Sequence, residues 1–349
     1  MKEELNPKKI LVFKIGAIGD ILMTTPLVRQ IRKSFPKADI VYYVGKYAAD
    51  IFQGNKYLNR VESFDQNIFY KKNILRAISL RNKIKKEKFD IAFVLDKHWS
   101  FGLFAKLCGI PIRVGFKRDL RDYLTHKIVY RQVKHEIHYY LSLLEAIELK
   151  PNYSDTNLDL TLSKKDLAFA ENFFKSNKIK KAIGIAAGGG KNPGEKEPIR
   201  RFPIEKMIEL IKNLSTDNKI ILLGGSSDDE LNKGIISFIK SENIINGTNP
   251  DIKKSAALMK KCSAMVCGDS GPMHIASAVN DKIISLFGPT NPKRKAPLHK
   301  KSVAIWHDQD IYEEDYELYG KIPDSSKRDK WMRKITVNEV EGAVENILR

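Results

Sequence analysis

Twice in this chain a short, wholly apolar run gives way to a glycine-bearing turn and then to a helical pattern. That unit limits the fold more than any other feature. The first copy is KILVFK, Lys9–Lys14, followed by Ile15-Gly16-Ala17-Ile18-Gly19-Asp20. A helix then runs from about Ile21 to Ser34, with Ile21, Leu22, Leu27, Val28 and Ile31 on one face, and stops before Pro36. The second copy is Ala264–Cys267, followed by Gly268-Asp269-Ser270-Gly271-Pro272-Met273-His274 and a helix with small residues on one side. Apolar runs this short, without alternation, read as strands buried on both faces, the signature of a parallel sheet.

The pattern between and around these units is the same. In the first half, strands are expected at Ile40–Val44, Val61–Phe64, Ile91–Leu95 and Arg113–Phe116, with helices at Ile74–Lys88 and Ile137–Leu149 among the intervening stretches. Lys150-Pro151-Asn152-Tyr153-Ser154-Asp155 reads as a linker, after which the alternation restarts. Strands at Ala182–Ala187, Lys219–Leu223, Ala264–Cys267 and Lys282–Phe287 interleave with helices at Lys164–Ser176, Pro203–Leu214, Asp228–Ser241 and Ile252–Lys261. The expected fold is α/β, with two Rossmann-like doubly wound domains, residues 1–155 and 160–330, facing a cleft. A last helix within 336–349 is placed against the N-terminal domain. The chain's 349 residues suffice for two domains of ordinary size.

Composition narrows the function classes. No apolar run approaches the ~20 residues that span a bilayer. The N-terminal Met1–Pro7 has no signal-peptide core, and Cys108, Cys262 and Cys267 have neither disulfide nor zinc spacing. A cytoplasmic protein without a metal site is expected. The net charge of +19 calls for an anionic partner, and residues 1–160 hold 29 Lys and Arg against 17 Asp and Glu. Aromatic and basic residues do not interleave as a nucleic-acid stacking platform requires, so no nucleic acid is expected.

Several strand-to-helix turns carry candidate chemistry. Asp20 stands at the first turn, either as an N-cap for the helix from Ile21 or as a general base toward a hydroxyl nucleophile. The surrounding Gly16–Gly19 spacing falls short of the dinucleotide fingerprint. Ala186-Ala187-Gly188-Gly189-Gly190-Lys191 resembles a phosphate loop only superficially, because Ile185 stands where its first glycine belongs and Asn192 where its Ser/Thr belongs. Its backbone N–H groups can still cradle a diphosphate. Arg200 and Arg201 follow, as phosphate partners or as a solvated basic patch. Ser227 and Asp228, after LLGG, suit either a ribose or a helix start. Gly271 opens a helix whose first turn tolerates Pro272 and presents N–H groups to an anion. In the first half, His98 follows Asp96-Lys97, and Lys117, Arg118 and Arg121 cluster after a strand, as grips for an acidic acceptor.

In this order, KILVFKIGAIGDILMTTPLVRQIRKSFP, GIAAGGG…RRFP, LLGG and GDSGPMHIASAV…SLFGPTNP resemble glycosyltransferase family 9, whose best-known members are the heptosyltransferases of lipopolysaccharide core synthesis. The resemblance covers nearly the whole chain. It implies a GT-B fold with acceptor on the first domain and nucleotide-sugar donor mainly on the second. It matches the family's catalytic aspartate to Asp20. The donor set read this way is Gly19, Ala187, Gly188, Lys191, Arg200, Arg201, Ser227, Asp228, Asp269, Ser270, Gly271, Pro272, Met273 and His274. Lys117, Arg118, Arg121 and His98 are read as the acceptor set. Two departures stand out: Arg200 replaces the family's usual Lys, and Ser226-Ser227-Asp228 replaces a ribose-binding glutamate.

The resulting expectation is an inverting, metal-independent transferase without a resident cofactor. It would carry heptose from ADP-heptose to an anionic glycolipid of the lipopolysaccharide inner core, in peripheral contact with an anionic membrane. The alternatives are another nucleotide sugar or glycan acceptor, and a non-catalytic nucleotide or nucleic-acid binding protein.

Overall fold

The structure, a computed structural model, describes residues 5–71, 73–118, 120–131, 133–189, 199–307 and 328–349. The chain divides into two compact units, Met1–Thr161 and Leu162–Arg349.

The first unit is built on six parallel strands: β1 (Lys9–Lys14), β2 (Asp39–Gly45), β3 (Arg60–Phe64), β4 (Ile91–Val94), β5 (Ile112–Lys117) and β6 (His126–Val129), ordered 3-2-1-4-5-6 across the sheet. This is the Rossmann order, in which the winding reverses between β1 and β4. Strand side chains alternate between faces. Leu11, Phe13 and Ile15 join Val41, Tyr43, Ala92 and Val94 in one core layer, while Lys14 falls on the opposite face at the strand's carboxyl end.

The helix expected from Ile21 is two helices, α1 (Ile18–Leu22) and α2 (Thr25–Ser34). Pro26 has no N–H to give to the Leu22 carbonyl. The Thr25 hydroxyl donates to that carbonyl instead (2.8 Å), and the Thr24 hydroxyl to Ile21 O (2.7 Å). The remaining helices of the unit are α3 (Asn67–Tyr70), α4 (Ile74–Lys86), α5 (Trp99–Leu107) and α6 (Glu136–Ser142). The stretch read as a linker is strapped to α2. Gln30 exchanges two hydrogen bonds with the Asn152 backbone (2.8 and 2.9 Å), and the buried Arg29 guanidinium meets Asp155 (2.8 Å), Asp159 and the Asn157 carbonyl (2.8 Å).

The second unit repeats the design: β7 (Ala182–Ala186), β8 (Lys219–Leu222), β9 (Ile244–Asn246), β10 (Ala264–Gly268), β11 (Ile283–Phe287) and β12 (Val303–Trp306), all parallel, ordered 12-11-10-7-8-9. Counted from its own first strand this is again 3-2-1-4-5-6 written in reverse, with the switch between β7 and β10. Around it lie α7 (Lys164–Ser176), α8 (Ile204–Leu214), α9 (Asp229–Ile239), α10 (Ile252–Lys261), α11 (Gly271–Ser277), α12 (Pro292–Lys295), α13 (Arg328–Arg333) and α14 (Val337–Leu348). Helix α14 corrects the placement read from sequence. Its Val337, Val340 and Val344 are buried in the second unit's core with Met207, Leu210 and Ile211 of α8, because its apolar stripe matches that helix and the face of that sheet.

Arg29→Ala is expected to lower stability by about 2–3 kcal/mol, below the cost of breaking a fully buried pair because the two carboxylates keep some solvent. Urea unfolding of the full chain measures it. Arg29→Lys should recover only part, since an ammonium cannot replace a guanidinium that bonds in several directions.

Candidate active site

Ligands of doubly wound sheets bind beyond the carboxyl ends of the strands at the switch point. In the first unit that point lies between β1 and β4, whose residues Ile10–Phe13 pair with Ile91–Val94. Asp20 is there, but not as the cap of a helix from Ile21. Helix α1 begins at Ile18 with Ala17 at its N-cap, so Asp20 is its third residue, half-buried on the first turn. Gly19 beside it is buried inside α1.

The opposite loop, after β4, supplies Asp96. Its carboxylate accepts from the Lys14 ammonium (2.8 Å) and from the Ile15 N–H (2.8 Å), tying the two switch-point loops together. Burial works against the Lys14 ammonium, yet the carboxylates of Asp96 and then Asp20 outweigh it, and its pKa stands above the ordinary lysine value. Gly16 is required for this arrangement. A Cβ there would lie 2.7 Å from Lys14 Nζ and 3.1 Å from Asp20 Cβ. The Tyr47 hydroxyl donates to the Gly16 carbonyl and the Tyr70 hydroxyl to that of Ile15 (3.3 Å), fixing the turn from outside.

Lys97, one residue on, donates to the buried Glu136 carboxylate (2.7 Å) and to the Tyr130 hydroxyl (2.8 Å). Burial lowers its pKa despite Glu136, with Asp20 among the charges it feels. His98, Arg118 and Arg121 of the acceptor set line one pocket together with Asp96, Lys97 and Trp99. Arg121 stacks its guanidinium over the Trp99 ring (5.0 Å). His98 also caps α5, accepting from the Ser100 N–H. Lys117 ends β5, half-buried beside this group.

In the second unit the switch point lies between β7 and β10, and buried carboxylates again cross-tie its loops. Asp228 accepts from the N–H of Gly189 (3.1 Å) and of Gly225 (2.9 Å). Cβ atoms at Gly188 and Gly224 would collide with it, at 2.1 and 2.6 Å. Asp228 therefore holds the two glycine loops together, while Ser227 beside it is exposed. Ala187 and Gly188 are buried at the end of β7.

Asp269 accepts from Thr290 (2.7 Å) and from Arg200 (3.3 Å). Burial opposes its ionisation, but Arg200, Lys295 and His274 prevail and hold its carboxyl below the ordinary range. Ser270 is the N-cap residue of α11 and lies against Gly189, where a φ of +77° and a Cβ that would fall 2.9 Å from Ser270 Oγ admit no side chain. Arg201 donates to the Gly189 carbonyl (3.3 Å). Gly271 and Pro272 are partly exposed on the first turn of α11, and His274 is buried beneath it. Met273 corrects the donor set: wholly buried, with its N–H on Ser270 O (3.1 Å), it anchors the helix in the core. Lys191 lies outside the described residues. Sequence reasoning missed Lys14 and Glu136 and gave Asp96 and Thr290 no partners, because these residues act through pairs 21 to 82 residues apart that no local pattern announces.

Two parallel sheets of one strand order, each with its polar residues gathered at the switch point, define a GT-B architecture. The chain belongs to glycosyltransferase family 9 (heptosyltransferase), whose sequence model matches residues 77–317. It is 24% identical over 315 residues to lipopolysaccharide heptosyltransferase 2 of Escherichia coli (strain K12), covering 85% of this chain and 87% of that one. Among solved structures it matches a family 9 glycosyl transferase from Veillonella parvula with a TM-score of 0.80 at 24% identity, over 99% of this chain and 98% of the other. It also matches the E. coli ADP-heptose LPS heptosyltransferase II with a TM-score of 0.76 at 22% identity, over 97% and 98%.

Lys14→Met removes the ammonium that favours an ionised Asp20, so the acid limb of the pH–rate profile should move up by about one pH unit, with Lys14→Arg close to wild type. An unmoved limb in folded Lys14→Met would show that the two groups are not coupled. Asp269→Ala takes the carboxylate away from the buried Arg200 guanidinium and should cost about 3–5 kcal/mol in denaturant unfolding. The pair's contribution is present above the ordinary carboxylate range and disappears as pH falls through the depressed Asp269 value.

Proposed function

We propose that this chain is an inverting heptosyltransferase of lipopolysaccharide core assembly, with ADP-L-glycero-D-manno-heptose as donor. The observation that carries the reading is the Asp20 carboxylate, half-buried on the first turn of α1 and set beside the buried Lys14 ammonium at the first switch point. The E. coli relatives named for the same reaction support the choice of donor and acceptor.

In this mechanism Asp20 accepts the proton of the acceptor hydroxyl as its oxygen attacks the anomeric carbon of the heptose. The new C–O bond forms as the bond to the β-phosphate oxygen breaks, the configuration inverts, and ADP leaves with the electron pair. The growing charge on ADP is met by the first turn of α11 at Gly271, by Ser270, and by the cations of the second unit, Arg200 and Lys191, without calling on a divalent metal. The Arg200–Asp269 pair presets the guanidinium rather than leaving it to reorganise.

The acceptor is an anionic glycolipid. The cations His98 (when protonated), Lys117, Arg118 and Arg121 suit its charged groups, and Trp99 offers a sugar-stacking face. Among the described residues no helix is long and apolar enough to cross a membrane, and the reading is of a peripheral enzyme working from the cytoplasmic face.

The test is a donor panel of ADP-, UDP- and GDP-sugars on purified protein without added metal, read by thermal shift and by nucleotide release with crude lipid acceptor. ADP-heptose should stabilise wild type and Asp20→Asn alike, while the variant loses about 10²–10⁴-fold in ADP release. Stabilisation by another nucleotide sugar would reassign the donor. Equal turnover by Asp20→Asn would remove the base assignment, and no binding at all would favour a non-catalytic role.

A further inference from the structure

Helix α4, Ile74–Lys86, carries more apolar surface outside than a soluble helix needs. Leu80 and Ile84 are its buried residues, with Ala77 packed beside them. At about 100° per residue these three lie on one side, and Ile74, Leu75 and Ile78 turn toward the other. They are 72%, 81% and 48% exposed. Leu75 and Ile78 share a shallow outer depression with Asn82, Lys83, Lys86 and Glu87, whose carboxylate is held by Lys9 and Arg60 (3.0 Å).

The helix itself carries charge of one sign, and the carboxylate that borders it, Glu87, is paired with Lys9 and Arg60. From Lys71 to Lys86 the sequence has seven Lys and Arg and no Asp or Glu. Some of these cations turn inward: Arg76 toward Asp65 (3.3 Å), Lys83 toward Glu62 (2.6 Å), and Arg81 onto the Leu107 carbonyl (2.8 Å). Lys85 and Lys86 stay exposed on the last turn, and Lys71 is exposed just ahead of the first. An apolar ridge with cations at both ends suits the boundary between anionic headgroups and acyl chains, where aliphatic side chains insert and ammonium groups stay with the phosphates. A second copy of the chain suits it poorly, because a two-fold contact over this face would bring like charges together.

We infer that the outer face of α4 is the surface by which this protein docks on an anionic bilayer, with Ile74, Leu75 and Ile78 inserted and Lys85 and Lys86 on lipid phosphates. The inference extends the membrane contact of the proposed function by assigning it to a face and to an insertion mode.

Co-sedimentation with vesicles tests it, using phosphatidylglycerol in phosphatidylcholine against phosphatidylcholine alone. The proteins are the full chain, the triple variant Ile74→Ser/Leu75→Ser/Ile78→Ser, and the pair Lys85→Gln/Lys86→Gln. All the substituted side chains are exposed, so the variants should fold like wild type, and their thermal shift with ADP-heptose should match it. Wild type should partition onto the anionic vesicles and not onto pure phosphatidylcholine. The triple variant should lose at least about tenfold in partition, and the lysine pair about 30-fold.

Wild-type partition by the triple variant overturns the docking face, as does equal binding to both vesicle types. So does a wild-type dimer in sedimentation velocity that the triple variant dissociates, since a second copy would then cover the ridge. Loss of vesicle binding with the donor shift intact supports the face. Absence of any donor shift in wild type would sink the enzyme reading and leave the vesicle result standing.

Discussion

A parallel sheet that winds in both directions from its centre has one place where neighbouring strands send their chains to opposite sides, and both units here depend on how that gap is closed. Loops leaving β1 and β4 diverge, as do those leaving β7 and β10, so no backbone ladder can hold them to each other. Buried carboxylates do so instead. Asp96 joins the Lys14 ammonium to the Ile15 N–H, Asp228 joins two glycine-loop N–H groups, and Asp269 joins Arg200 to Thr290. A carboxylate suits this task because it accepts from several directions at once and its bonds are charge-assisted.

These ties account for the glycines better than flexibility does. Gly16 leaves room for the Lys14 ammonium, Gly188 and Gly224 leave room for the Asp228 carboxylate, and Gly189 combines a left-handed φ with close approach to Ser270. A side chain at any of them would push a charged group off its partners. The glycine-rich turn after β7 that resembles a phosphate loop is thus shaped by a protein carboxylate, whatever else its N–H groups bind. That also explains why the Walker spacing is absent without the loop losing definition.

Much of this architecture was legible in the sequence because buried parallel strands are continuous apolar runs. KILVFK, IAFV and IISLF leave little choice, and two sets of them imply two sheets. The short edge strands were not legible: β6, β9 and β12 are half-exposed, so HKIV, IIN and VAIW lack the apolar continuity that marks a central strand. The break between α1 and α2 was missed because its cause is a hydroxyl taking over a carbonyl that Pro26 cannot serve. Of the candidate site, Asp20 and the Asp269–His274 segment could be named from motif, but not the division of labour among the acids. Asp20 falls on the first turn of α1 and not at its N-cap, and Asp228 ties two glycine loops, a role visible only in its distances to Gly189 and Gly225.

That division resolves an electrostatic conflict. Turns that could meet a phosphate should shun carboxylates, yet Asp20 and Asp96 stand at the switch point of the first unit, and Asp228 and Asp269 at that of the second. Asp269 is neutralised by Arg200, Lys295 and His274, and Asp96 by Lys14, while Asp228 is satisfied by backbone dipoles. Each of these buried acids therefore adds order to its loop without presenting a bare charge to an incoming phosphate. Asp20 differs in kind: half-buried, it stands within the field of two lysines, Lys14 and Lys97, each of which has Asp96 or Glu136 as its nearer partner. Opposite charges this close favour the ionised form of a carboxylate, so Lys14 and Lys97 both bias Asp20 toward its anion. Part of the positive charge of the first unit thus has a local meaning, because the ammonium groups of Lys14 and Lys97 offset the carboxylates of Asp20, Asp96 and Glu136 gathered there.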